Sequence, residues 1–152
     1  MKALTICQPY ASLIARGEKR VENRTWPTSY RGRLYIHAGK SREWLSSDVD
    51  EEGENYGIPL AQMPFGAVVA VATLADCVHI DKVGKGMTGQ RWPWLAEHEH
   101  TSGPWCWILA NVTPIGPWPW RGAQGLFDID DEELDRAANR QLGITAETVS
   151  AP

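Results

Sequence analysis

At 152 residues, 43% of them hydrophobic and 22% charged, the chain is long enough for one domain with a real core and too short for two comfortable ones. Its longest apolar run, Ala67 to Ala72, is too short to span a bilayer, and the N-terminus MKALTICQPY lacks the apolar stretch of a signal peptide. The net charge of −4 conceals an asymmetry: residues 1–44 carry nine basic and three acidic side chains, and the remainder six basic and sixteen acidic, which points to an anionic partner for the basic third.

In chain order, KALTI (2–6) alternates like a strand. Gln8 and Pro9 lead into a short helix with Tyr10, Leu13 and Ile14 at helical spacing, and Gly17 supplies its stop. RVENR and GRLYIHA read as strands joined by a loop with Pro and Ser. SREWLSSDVDEEGENYG holds at most one or two helical turns. GAVVAVATLADCVHI is the clearest buried strand. Residues 82–91, with several glycines, are expected to be a mobile loop. GPWCWILANVTPI reads as another strand and GPWPWRGAQGLFDI as an extended return to the sheet. DIDDEELDRAANRQLG places acids before arginines as a helix dipole favours, and the chain after Gly143 is expected to fray. Several strands, one early helix and no βαβ rhythm predict a mostly antiparallel small β-barrel decorated by short helices. Cys7, Cys77 and Cys106 are odd in number and lack a Cys-x-x-Cys pair. They are read as buried, inert thiols in a reducing cytoplasm.

Three Trp-x-Trp pairs each present one indole face in an extended chain. Trp105/Trp107 lie beside Ile108 and Leu109 and read as core. Trp92/Trp94 and Trp118/Trp120, interleaved with Pro at strand margins, are candidates for a rim that stacks a planar ligand, with core packing the alternative. His98-x-His100 lacks the spacing of a zinc helix, and no phosphate loop or nucleophile elbow is present, so neither metal nor cofactor is expected.

The remaining signal is GEKRVENRTWPTSYRGR (17–33), in which five Lys or Arg and two Glu surround Trp26 and Tyr30. Glu22 and Arg24, two apart on a strand, share a face, with Lys19 at its mouth. An exposed Lys–Glu pair is worth little. In a cleft, Arg grips phosphate through its planar fork, Glu accepts a base N–H or removes a proton, and the rings offer stacking faces. Cations, aromatics and one acceptor make a nucleotide-recognition set.

The stretch QPYASLIARGEKRVENRTWPTSYRGRLYIHAG resembles the signature of the ASCH (activating signal cointegrator homology) domain family, a branch of the PUA-like superfamily. The residues that carry the resemblance are Gln8, Pro9, Tyr10, Ala11, Ser12, Gly17, Lys19, Glu22, Arg24, Trp26, Arg31 and Gly32. ATLADC, GPWCWIL and QGLFDI extend it over most of residues 3–130. The resemblance implies a PUA-like β-barrel of five or six strands, with the first helix and adjacent strand lining a basic cleft, and RNA-related roles. One branch of the family hydrolyses N4-acetylcytidine with a Lys, a Thr three residues on and a downstream Glu. Lys19 occupies the Lys position, Glu22 replaces the Thr, and Glu97 or Glu99 precedes the GPWCW strand. Without the hydroxyl nucleophile, Glu22 can still activate water while Lys19 stabilises an oxyanion.

The reading is therefore an ASCH domain over residues 1–130, with 131–152 a C-terminal helix and frayed tail of the same domain. It binds RNA, another single-stranded nucleic acid or a modified nucleoside. Lys19, Arg24, Arg31 and Arg33 are assigned to phosphates, Trp26 and Tyr30 to stacking, and Glu22 to base contact or proton transfer; Gln8 and Ser12 shape the cleft or cap the helix. The alternatives are a metal-independent hydrolase (a ribonuclease, or an amidohydrolase acting on acetylated cytidine) using Lys19 and Glu22, and a protein-interaction module.

Overall fold

Residues 1–45 and 55–144 are described by a computed structural model of the chain. The elements are β1 (Lys2–Ile6), α1 (Tyr10–Ala15), β2 (Val21–Arg24), β3 (Gly32–Ala38), β4 (Ala67–His79), α2 (Gly86–Arg91), β5 (Trp105–Pro119), β6 (Leu126–Asp128) and α3 (Glu132–Gln141). Single 3-10 turns lie at Leu60–Gln62, Ile80–Lys82 and Pro93–Ala96. The strands form one six-stranded sheet in the order β2-β5-β4-β3-β1-β6. Only β1 and β3 run parallel; the other pairings are antiparallel.

Two long strands, β4 and β5, make the spine. Three register shifts interrupt their ladder, at Val68/Ala70, Val71/Thr73 and Leu74/Asp76. Each bulge bends the strand and adds right-handed twist, so the sheet curls into a half-barrel of the PUA-like type. The run of Val and Ala in β4 is buried on both faces, which explains why it lacks polar alternation. One face joins Leu4, Ile6, Leu34, Ile36, Trp107 and Leu109, and Ala11 and Ile14 of α1 pack onto them. The other face holds Ala3, Tyr35, Val68 and Val71 against Leu134 and Ala138 of α3.

Local sequence sets the helix ends. The Gln8 carboxamide is fully buried; its Oε1 accepts from the Ser12 N–H at 3.0 Å and its Nε2 donates to the Pro64 carbonyl at 2.7 Å. Gln8 is thus committed to fastening α1, and Pro9 stands one residue before the helix rather than inside it. Gly17, at φ +79°, ends α1 in a left-handed turn. Asp131 caps α3 by accepting from the N–H groups of Glu133 and Leu134.

Residues 82–91, expected as a mobile loop, instead contain α2, and the Trp92 that ends it is pinned by Nε1 donating to Asp76 at 2.8 Å. Cys7 and Cys77 are half-buried rather than buried, and only Cys106 is enclosed. The expected turns of residues 41–57 lie largely outside the described residues, as does the tail beyond Ile144. Among the described residues no helix is long and apolar enough to cross a membrane.

Candidate functional site

The two edge strands of the half-barrel are short. β6 pairs with Lys2, Ala3 and Leu4, so among the described residues no strand lies beside the last residues of β1 on that side. β2, at the opposite edge, sends Arg24 across to them: its Nη2 donates to the Thr5 carbonyl at 2.7 Å. Between these edges and α1 opens a cleft of about 710 Å³.

Its floor comes from the turn after α1 and from β2. The N–H groups of Glu18 and Lys19 both donate to the Leu13 carbonyl, which turns Lys19 inward to 3% exposure. The Lys19 ammonium donates to the Val21 carbonyl and lies 3.3 Å from Glu22 Oε2. Glu22 Oε1 stands 3.7 Å from Arg24 Nε. One carboxylate therefore balances two cations, and the floor keeps a net positive charge. Burial pushes the Lys19 pKa below its ordinary value, with Glu22 opposing that shift.

The walls are aromatic and come from three distant segments. Tyr10 of α1 meets Trp44 edge-on at 6.4 Å, Tyr56 at 6.1 Å and His100 at 6.2 Å, and Tyr56 lies 5.3 Å from His100. The Lys19 ammonium sits 5.8 Å from the Tyr10 ring. Trp44 and Tyr56 are 58% and 45% exposed, an arrangement that leaves indole and phenol faces open at the mouth.

His100 is held there by β2. Asn23, on the face of β2 opposite Glu22, donates to the His100 carbonyl at 2.7 Å and accepts from the N–H groups of Ser102 and Gly103. The Arg20 N–H donates to His98 Nε2 at 3.1 Å, and the Arg20 guanidinium covers the Trp94 ring at 4.0 Å. These bonds latch residues 94–103 to β2. Burial, then the Lys19 charge, lower the His100 pKa; burial, then His100, lower that of His98. Both rings are accordingly neutral at pH 7.

Four buried side-chain polar atoms lack a hydrogen-bond partner among the described residues: Arg24 Nε, Arg33 Nε, His100 Nε2 and Thr101 Oγ1. Two of them, on Arg24 and His100, belong to residues that line the cleft. Buried polar groups are almost always satisfied; the nearest carboxylates to these two, Glu22 to Arg24 Nε and Glu99 to His100 Nε2, each stand 3.7 Å away.

The structure brings together Lys19, Glu22 and Arg24, the first three site residues expected from sequence. It places the other four elsewhere. Trp26 packs edge-on against the core Trp107 at 4.7 Å, and its carbonyl accepts from Trp107 Nε1. Tyr30 packs on the same core, with its hydroxyl donating to the Arg33 carbonyl. Arg31 pairs with Asp76 at 3.2 Å, and Arg33 donates to Asn139 of α3 at 2.9 Å. Glu99, but not Glu97, lines the cleft. The proline-flanked Trp pairs are also packing residues: Trp92 and Trp94 cover Val21, Leu95 and Ile108, while Trp118 and Trp120 lie against the α3 side of the sheet.

Four wall residues escaped the sequence reading. Tyr10 sits in the quoted signature without a role, and His100 was weighed only as a metal ligand. Trp44 and Tyr56 carry no local signal. Among the described residues no group of three or more His, Cys, Asp or Glu is arranged to hold a metal ion.

A curled, mostly antiparallel half-barrel whose charged cleft opens beside its first helix defines a PUA-like β domain. The chain belongs to the ASCH domain family, whose model matches residues 4–119, a family generally associated with RNA binding. Over 82 residues it is 35% identical to activating signal cointegrator 1 of Homo sapiens and 37% identical to that of Mus musculus. Each match takes in 49% of this chain but spans only 14% of the relative's length. Among solved structures it superposes on ASCH from Zymomonas mobilis with a TM-score of 0.51 at 16% identity, covering 89% of this chain and 91% of that one. A single-residue mutant of the same protein matches with a TM-score of 0.51 at 17% identity, over 89% and 92% of the two chains.

Proposed function

We propose that the cleft binds one base of a single-stranded RNA. The observation that carries this reading is a pair of buried atoms, Arg24 Nε and His100 Nε2, that have no hydrogen-bond partner among the described residues, in a cleft walled by open aromatic faces. Trp44 and Tyr56 stack the base, a contact worth about 1–3 kcal/mol per base. Glu22 accepts a base N–H, neutral His100 reads its edge, and Lys19 and Arg24 attract the flanking phosphate. Arg31 and Arg33, held by Asp76 and Asn139, shape the turn between β2 and β3 instead.

Fluorescence anisotropy with a labelled, mixed-sequence RNA octamer tests this. Trp44→Ala and Tyr56→Ala should each weaken binding about 5- to 100-fold. Arg24→Met should lower the slope of log K against log salt by about 0.7, the value for one single-strand phosphate contact. Arg31→Met should leave both unchanged. A loss in Arg31→Met equal to that in Arg24→Met moves the interface off the cleft, and salt-independent affinity favours a peptide partner.

The buried Lys19–Glu22 pair, 3.3 Å apart, favours a second reading, hydrolysis of RNA or of an acylated nucleoside. Glu22 then serves as the general base and Lys19 stabilises the oxyanion. Mass spectrometry of RNA and N4-acetylcytidine incubated with the protein separates the two. Turnover that collapses by 10²-fold or more in Glu22→Gln while EDTA leaves it intact establishes hydrolysis; unchanged substrates leave binding as the function.

A further inference from the structure

A second cavity, of about 430 Å³, shares Thr5 of β1 with the cleft. Lys40 and Arg121 stand at it. Neither has a carboxylate partner among the described residues, although the chain carries nineteen Asp and Glu against fifteen Lys and Arg. The two cations that line the cleft, Lys19 and Arg24, share Glu22. Two uncompensated cations at one concavity of an acidic protein attract an anion.

Two of the cavity's glycines are in close contact with its other lining residues. A Cβ on Gly66 would lie 2.7 Å from Lys40 Cε, and one on Gly122 would lie 2.7 Å from His37 Cε1. A side chain at Gly66 displaces the Lys40 stem, and one at Gly122 runs into His37 and Thr5. The back wall is fixed and uncharged: His37 is buried, with Nδ1 3.2 Å from Thr5 Oγ1 and Nε2 2.8 Å from the Trp120 carbonyl. Both ring nitrogens are thereby engaged, and burial lowers the ring's pKa. Lys40 and Arg121 line the cavity from exposed positions at its mouth. Among the described residues no Asp or Glu lines the cavity. That absence is what a phosphate needs and a cationic or peptide-amide ligand does not.

We propose that Lys40 and Arg121 form a phosphate subsite that holds the backbone of the RNA strand whose base occupies the neighbouring cleft. This rests on the base-binding reading above. Thr5 separates the two cavities, so a strand leaving the cleft crosses the end of β1 and meets the second pair of cations next. The subsite extends the footprint past a single nucleotide, and it favours an oligonucleotide over a free nucleoside.

The test uses the full chain, isotopically labelled for amide NMR, with a mixed-sequence RNA octamer and with inorganic phosphate. The octamer should shift the Gly39, Gly66 and Gly122 amides together with those of Tyr10 and His100. Lys40→Met/Arg121→Met should abolish the glycine shifts, keep those at Tyr10 and His100, and reduce the log–log salt slope of octamer binding by about 1.4, two contacts at 0.7 each. Octamer binding with an unchanged slope and unmoved glycines in the wild-type chain overturns the subsite and leaves the cleft reading intact. Glycine shifts with inorganic phosphate but none with the octamer make it a site for free phosphate and overturn the strand path. No binding of the octamer at all overturns the base-binding reading, and the subsite with it.

Discussion

Exchanging Glu22 for Gln removes the only carboxylate among the described residues that balances the cleft floor, while keeping the side chain's shape. At 3.3 Å from Lys19 and 3.7 Å from Arg24, each attraction is worth about 5 kcal/mol at an effective dielectric near 20. Freeing the carboxylate from its desolvated position offsets much of that sum. Breaking a buried pair by removing one partner has a net cost of about 3–5 kcal/mol, because the other charge stays buried alone. With Glu22 12% exposed, the low end applies, about 3 kcal/mol.

Urea unfolding at pH 7 of the wild type, Glu22→Gln, Lys19→Met and the double variant isolates the interaction. Each single change should lose about 3 kcal/mol. The double should lose little more than either, for a coupling of about 2–3 kcal/mol. The pH dependence has a definite sign. The folded pKa of Lys19 lies below its ordinary 10.5, so its buried charge destabilises at neutral pH and the penalty fades as pH rises from the folded value towards 10.5. Loss of Glu22 lowers that folded value further, so the gap between wild type and Glu22→Gln should narrow from pH 7 towards pH 10. A coupling below about 0.5 kcal/mol, or a gap that widens with pH, would falsify the account of the floor as one carboxylate holding two buried cations.

Trp107 is fully buried on the face that α1 packs onto, and Trp107→Ala should lower stability by about 3–5 kcal/mol in the same assay. His37, His98 and His100 all have pKa values lowered from 6.5, burial being the largest cause for each. Below pH 6.5 the unfolded chain therefore takes up protons that the native state refuses, and the melting temperature should fall on acidification from pH 7 until the depressed native values are passed. A flat profile between pH 7 and pH 5.5 contradicts this. Asp131→Ala removes the cap of α3 and should lose about 1 kcal/mol, with amide exchange accelerating across Glu132–Arg136 and not in β4.

Strands and helices were largely legible because their signals are local. The apolar run of β4, the acid-first pattern of α3 and the Gly stop of α1 each act within a few residues. Lys19, Glu22 and Arg24 were legible for the same reason, since strand period and a tight turn suffice to converge them. The neighbouring Trp26, Tyr30, Arg31 and Arg33 have the same composition but another destination. A turn reverses the chain after Arg24, and Arg33 then falls on the face of β3 that meets α3. Composition cannot distinguish an indole that stacks on a ligand from one that stacks on Trp107. The walls were illegible for the opposite reason. Trp44, Tyr56 and His100 reach Tyr10 through tertiary contacts, and what fixes His100 is Asn23, far away in sequence, bonding to its carbonyl.

The position of β1 has a consequence for how the molecule is made. The strand lies between β3 and β6, with Ala3 opposite both Tyr35 and Phe127. At a ribosomal pace of about 5–20 residues per second, Ala3 waits roughly 6–25 s after its own synthesis for Phe127 to be joined. Throughout that interval one edge of β1 is open, available to chaperones or to the β1 of a neighbouring nascent chain. A chain cut after Pro119 never leaves this state, since Leu126–Asp128 is then missing and the ladder to Lys2–Leu4 cannot form. Chains trimmed at the end of the family match should therefore accumulate as aggregates even though every residue of the cleft is present.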